Sequence, residues 1–115
     1  MKGGQQRRDM DTTFEEFLDE CKEDHVGLWR LANAAERLLG DSAAPERRAL
    51  GLSLARRLLD NGMLVGHPAP DGRHFVSWDL PTDVALQRID REWAALGRDP
   101  DIGEIAWFTS PDEPS

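Results

Sequence analysis

Apolar residues recur at helical spacing in four stretches of the chain and alternate in strand fashion in one. Phe14, Phe17 and Leu18 give residues 13–21 one apolar face. Thr12 or Thr13 would cap that helix, and Glu15 and Glu16 fall in its first turn, where acids suit the helix dipole. In VGLWRLANAAERLL, residues 26–39, Leu28, Leu31, Ala32, Ala35, Leu38 and Leu39 share one face and Arg30, Asn33 and Arg37 the other. Asp24 is the expected N-cap of this second helix and Gly40 the residue just past its end. Residues 45–60 predict a third helix, with Pro45 in its first turn, Ser42 as a nearby cap and Asn61-Gly62 ending it. Leu50, Leu54, Ala55, Leu58 and Leu59 would face inward, and Ser53, Arg56, Arg57 and Asp60 outward. A fourth helix over 82–96 carries the stripe Leu86, Ile89, Trp93, Leu96, with Arg88 and Glu92 placed to pair on its exposed side and Gly97 as its stop.

Between the third and fourth helices, MLVGH and RHFVSW read as two strands around the turn-forming PAPDG. Residues 63–78 are therefore expected to form a β-hairpin. His74, Val76 and Trp78 should point one way, and Phe75 and Ser77 the other. EIAWFT, residues 104–109, reads as a third short strand or an extended segment packed on the core. An arginine-bearing helix running straight into a hairpin is the order of recognition helix and wing in a winged helix-turn-helix. The expected fold class is α+β, winged-helix-like, with three to four helices, a hairpin and a short C-terminal extended segment. The expected layout is one domain over 12–109, with an N-terminal tail at 1–11 and a frayed end at 110–115. At 115 residues the chain is long enough for one core.

Charge complicates the DNA-binding reading that this order invites. The chain has 22 acidic residues against 14 basic ones, a formal net charge of -8. Residues 11–25 carry seven acids and one lysine, residues 26–66 six arginines and four acids, and residues 67–115 ten acids and four arginines. The middle is mildly basic and both flanks are acidic. Phosphate contacts supply most of the affinity for duplex DNA, so this balance favours a basic protein partner, or simple solubility, over a polyanion. Four tryptophans and no tyrosine suggest that large indoles close the core. The first 17 residues lack the apolar stretch of an export signal, and no apolar run approaches the roughly 20 residues of a membrane span. A cytoplasmic protein with no membrane association is expected. The single cysteine, Cys21, excludes an intramolecular disulfide.

Few residues suggest chemistry. Cys21, His25, His67 and His74 would make a zinc-binding set if the first helix packed on the hairpin, with His67 and His74 facing each other across its turn. No short ligand spacing supports that grouping, and a buried thiol with surface imidazoles is the simpler expectation. GLSLA around Ser53 lacks the second glycine of a nucleophile elbow and lies within a helix. No glycine-rich phosphate loop is present. Asp99, Asp101 and Glu104 cluster in RDPDIGE without the ligand pattern of a calcium loop. No catalytic residue, cofactor or metal is therefore expected. The acids are better suited to docking basic side chains, and Asp79, Asp83 and Asp90 could share that half of the molecule.

Three segments, VGLWRL at 26–31, WDL at 78–80 and IDREWAALGRDPDIGEIAWF at 89–108, resemble a pattern found in a group of small bacterial proteins. The resemblance spans roughly residues 24–108 and implies a compact winged-helix-like domain with no catalytic residues to carry over. Some small acidic proteins of this kind resemble immunity proteins, which neutralise toxins. The expectation that follows is a non-catalytic acidic binding domain of immunity or antitoxin type, holding a basic partner through Glu15, Glu16, Asp19, Glu20, Glu23, Asp99, Asp101 and Glu104. The alternative is a winged-helix DNA-binding regulator relying on Arg47, Arg48, Arg56, Arg57 and Arg73, although Glu46 and Asp60 bracket that helix and few base-reading amides line it.

Overall fold

The computed structural model describes residues 2–40, 42–71 and 73–111, with side chains from residue 9 onward. Its elements in order are α1 (Lys2–Glu23), β1 (Val26–Gly27), α2 (Leu28–Leu39), α3 (Ala44–Asp60), β2 (Leu64–Pro68), β3 (Phe75–Ser77), α4 (Thr82–Leu96) and β4 (Trp107–Thr109). The fold is α+β and winged-helix-like: the α2–α3 pair is followed by the β2–β3 hairpin. The four strands form one antiparallel sheet in the order β1-β4-β2-β3.

Helix α1 begins at Lys2, where an unstructured start to residue 11 was expected, so Thr12 and Thr13 lie inside a helix instead of capping it. The apolar face continues one turn further back than Phe14. Met10 packs against the core with Phe14, Phe17, Leu18 and Cys21, a helical spacing that extends the helix by tertiary contact. At the other end of the chain, Ser110 is buried and its N–H donates to the Cys21 carbonyl, which ties down the first residue of the expected frayed end. Residues 112–115 of that end lie outside the described residues, as do Met1, Asp41 and Gly72.

The second helix starts at Leu28, two residues later than the expected bound at residue 26. Val26 and Gly27 are taken into the sheet opposite Phe108 and Trp107, and the Leu28 N–H donates to the Ala106 carbonyl. Gly27 therefore occupies the N-cap position without a side-chain cap, and Asp24 instead accepts a hydrogen bond from the His25 N–H. The C-terminal segment is a central strand. Phe108, on β4 between β1 and β2, is fully buried.

The core gathers Leu28, Leu31, Leu54, Leu58, Ile89 and Phe108 from α2, α3, α4 and β4. Leu50, Leu59 and Leu96, expected inward, are only half-buried. Of the four indoles only Trp93 is fully buried, while Trp29, Trp78 and Trp107 are half-buried. Trp29 and Trp107 meet edge to face at 4.8 Å, a favoured aromatic geometry. Helix α4 lies close against α3 because Gly51 leaves room for Trp93: a Cβ there would stand 2.6 Å from the indole ring.

Candidate functional site

Four arginines project from α3, and each meets a carboxylate from another part of the chain. Arg47 Nε donates to Asp99 Oδ2 at 2.9 Å, and its Nη1 donates to the Ser42 carbonyl at 2.6 Å. Arg48 Nε pairs with Asp90 at 2.9 Å and Arg56 Nη2 with Asp83 at 2.9 Å, both acids belonging to α4. Arg57 Nη1 pairs with Asp11 of α1 at 2.9 Å, and its guanidinium lies 4.3 Å from the centroid of the Phe14 ring. Helix α3 is thus clamped on both sides, by α1 and by α4 with its following loop. Among the arginines proposed for DNA contact, only Arg73 at the hairpin tip has no ion pair among the described residues. The Arg73 backbone N–H donates to Asp71 Oδ1, and this bond, with those from His74, holds the Asp71 carboxyl down to about 2.

The eight acids expected to dock a partner divide into two groups. Asp99, Asp101 and Glu104 shape their own loop. Asp99 holds Arg47 and also accepts a 3.3 Å hydrogen bond from Trp93 Nε1. Asp101 Oδ1 accepts from the Ile102 N–H at 2.8 Å. Glu104 takes Arg98 in a bidentate pair of 2.6 and 2.9 Å and accepts from the Asp101 N–H at 2.7 Å. The Arg98 hydrogen bonds, followed by that backbone N–H, depress the Glu104 carboxyl to about 2. These carboxylates are occupied internally, because a loop turning through residues 97–106 must satisfy its own backbone donors. Asp83 and Asp90 are likewise engaged, whereas Asp79 has no ion pair among the described residues.

Helix α1 differs. Glu15, Glu16, Asp19 and Glu23 are exposed and make no ion pair among the described residues. Glu20 alone of the five is matched, by Arg30 of α2, whose guanidinium also sits 5.6 Å from the Phe17 ring centroid. Glu15, Asp19 and Glu23 repeat every four residues, so their Cα atoms form a stripe about 12 Å long on one face. Like charges at that spacing destabilise a helix by about 0.2–0.5 kcal/mol per pair, so local helix energetics do not account for the stripe. Beside it, between α1 and α2, lies an open cleft of about 300 Å³ lined by Thr13, Glu16, Phe17, Trp29, Asn33 and Arg37, among others.

The histidines and the cysteine do not converge. Cys21 is buried, and desolvation pushes its thiol up to about 12, with Glu20 adding to the shift. His25 lies against Phe75, the ring centroids 5.1 Å apart and the planes tilted by 44°, with its Nδ1 buried and without a partner among the described residues. His67 uses both ring nitrogens: Nε2 bonds the Ile105 carbonyl at 2.8 Å and Nδ1 accepts from Trp78 Nε1 at 3.1 Å. That pattern requires the neutral Nε2–H tautomer. His74 is exposed and pairs with Asp71. The strand register sets Val76 opposite His67, so His67 and His74 do not face each other across the turn as expected. Among the described residues no group of three or more His, Cys, Asp or Glu is placed to hold a metal ion.

Also among the described residues, no helix is long and apolar enough to cross a membrane. Compared with known proteins, the chain matches no family model, no curated protein and no solved structure. Sequence reasoning located the α1 acids but missed the internal use of the other carboxylates. The pairs Arg88–Glu92, at 2.8 Å, and Arg98–Glu104 are local in sequence, whereas the α3 pairs span 27 to 52 residues.

Proposed function

We propose that this chain is a non-catalytic binding module that holds a basic protein through the exposed acidic face of α1, in the manner of an immunity or antitoxin protein. One contrast carries the reading: the arginines of α3 are matched by internal carboxylates, whereas Glu15, Glu16, Asp19 and Glu23 are exposed and unmatched among the described residues. A cationic partner surface would relieve the like-charge repulsion along the stripe. It would also associate faster for the long-range attraction of a chain at net charge -8. A cytoplasmic location belongs to this reading.

The second reading, a winged-helix regulator, is favoured by the order of helices and hairpin. It is weakened by the ion pairs of Arg47, Arg48, Arg56 and Arg57, which would have to be exchanged for phosphate contacts.

Two binding measurements separate the readings. The immobilised protein is expected to retain basic proteins from a host extract at low salt, and Glu15→Lys/Asp19→Lys/Glu23→Lys is expected to release them. The same retained set with the charge-reversed protein would overturn the proposal. So would salt-sensitive binding of mixed-sequence duplex DNA that disappears in Arg56→Glu/Arg57→Glu, measured by fluorescence polarisation.

A further inference from the structure

Strand β3 ends the sheet, and among the described residues its only strand neighbour is β2. The pairing Gly66↔Ser77, His67↔Val76, Pro68↔Phe75 fixes which backbone groups are used. The Trp78 N–H donates to the Val65 carbonyl and the Ala69 N–H to the His74 carbonyl, so His74, Val76 and Trp78 turn their backbone groups toward β2. Alternation then turns the N–H and C=O groups of Phe75 and Ser77 outward, to the open edge. Between them stands Val76, 58% exposed, and Leu80 and Val84, in the chain leading into and through the start of α4, are exposed apolar residues as well. Natural sheets usually blunt such an edge with charge, proline or cover. Here the centre of the edge is apolar and the charges flank it.

We propose that β3 pairs with β3 of a second copy of this chain, antiparallel, about a two-fold axis at Val76. The edge is self-complementary in three respects. In that register Phe75 of one copy faces Ser77 of the other, and these are the two residues whose backbone groups point outward. Val76 meets its own counterpart at the non-hydrogen-bonded position, where side chains approach closest. Arg73 and Asp79 lie three residues to either side of Val76, so each copy sets its arginine beside the other's aspartate. Both residues are exposed and neither has an ion pair among the described residues.

A two-fold contact of this kind closes on itself, so it yields a dimer and not a filament. Because the strand is only three residues long, the interface is small and the dimer weak and concentration-dependent. Helix α1 packs by β1 and β4, toward the opposite end of the sheet, so pairing leaves both acidic faces open. The inference stands independently of what those faces bind.

Sedimentation equilibrium from a few micromolar to several hundred micromolar tests the proposal on the full chain, with circular dichroism reporting the fold. The wild type is expected to pass from monomer to dimer. Val76→Lys is expected to stay monomeric with an unchanged spectrum. Arg73→Glu, an exposed site that keeps the hairpin intact, is expected to weaken dimerisation about tenfold, equivalent to about 1.4 kcal/mol. Adding Asp79→Asn, which suits the left-handed backbone there (φ 53), removes the like-charge contact and should recover part of the loss. A wild type that stays monomeric throughout overturns the proposal, as it would if the edge served a foreign strand. A dimer indifferent to Val76→Lys and Arg73→Glu, or no recovery in Arg73→Glu/Asp79→Asn, overturns it equally.

Discussion

If the α3 arginines are structural, the pair between Arg47 and Asp99 should contribute most to stability, and a double-mutant cycle measures that contribution. The two side chains are 22% and 24% exposed, the most shielded of the ion pairs on α3. Arg47→Met keeps the aliphatic stem and removes two charge-assisted hydrogen bonds, one to Asp99 and one to the Ser42 carbonyl. Such bonds contribute about 1.5–3 kcal/mol when shielded, and fully exposed pairs about 0–1 kcal/mol. A quarter-exposed pair falls between these limits, which gives a coupling of about 1–2 kcal/mol between Arg47→Met and Asp99→Asn. Asp99→Asn retains the oxygen that accepts from Trp93 Nε1, so the cycle isolates the ion pair. The matching cycle on Arg56 and Asp83, 50% and 74% exposed, should give about 0.5 kcal/mol or less. Urea unfolding followed by tryptophan fluorescence reads both. Equal couplings in the two cycles, or an Arg47 coupling under about 0.3 kcal/mol, would refute the reasoning that shielding ranks these pairs.

Three further outcomes follow from other parts of the molecule. Gly66→Ala would set a Cβ 2.0 Å from the Val76 carbonyl oxygen, a backbone atom of the partner strand, so the hairpin must shift; a loss of about 1–3 kcal/mol is expected in urea unfolding, and an unchanged midpoint would contradict the close approach. Cys21, with its thiol pushed up to about 12 and its side chain buried, should resist a disulfide reagent at pH 8 in the native protein and react at once in guanidinium; rapid native labelling would show the site to be open. Glu104 is depressed from 4.5 to about 2, so the stabilisation from its pair with Arg98 is fully present above the ordinary carboxylate range and is lost as pH falls through about 2; an NMR titration of the side chain with a midpoint near 4.5 would mean that the bidentate pair does not persist in solution.

The α4 helix was fully legible: the spacing of Leu86, Ile89 and Trp93 and the stop at Gly97 give its bounds, Thr82–Leu96. The third helix and the hairpin were nearly so, because Pro45, Asn61-Gly62 and the PAPDG turn mark their ends by local chemistry. The start of α2 was not legible. On a helix begun at residue 26, Val26 would fall on the polar face with Arg30, Asn33 and Arg37; it is buried in the sheet instead, because Phe108, 82 residues later, offers it a strand partner. The candidate site divided in the same way. The α1 acids could be read from helical spacing alone, whereas the engagement of Asp99 and Glu104 depends on where Arg47 and Arg98 arrive once the chain has folded.

The sequence by itself determined the helix-and-hairpin order, the apolar faces and the negative balance of charge, since each follows from near neighbours or from composition. The tertiary structure decided that β4 runs through the middle of the sheet, that α1 reaches back past Met10, and that the α3 arginines pair with carboxylates from distant parts of the chain. Those outcomes depend on contacts between residues far apart in the chain. Periodicity along a segment specifies which face is apolar, but it carries no information about which charged or extended segment will come to lie against it.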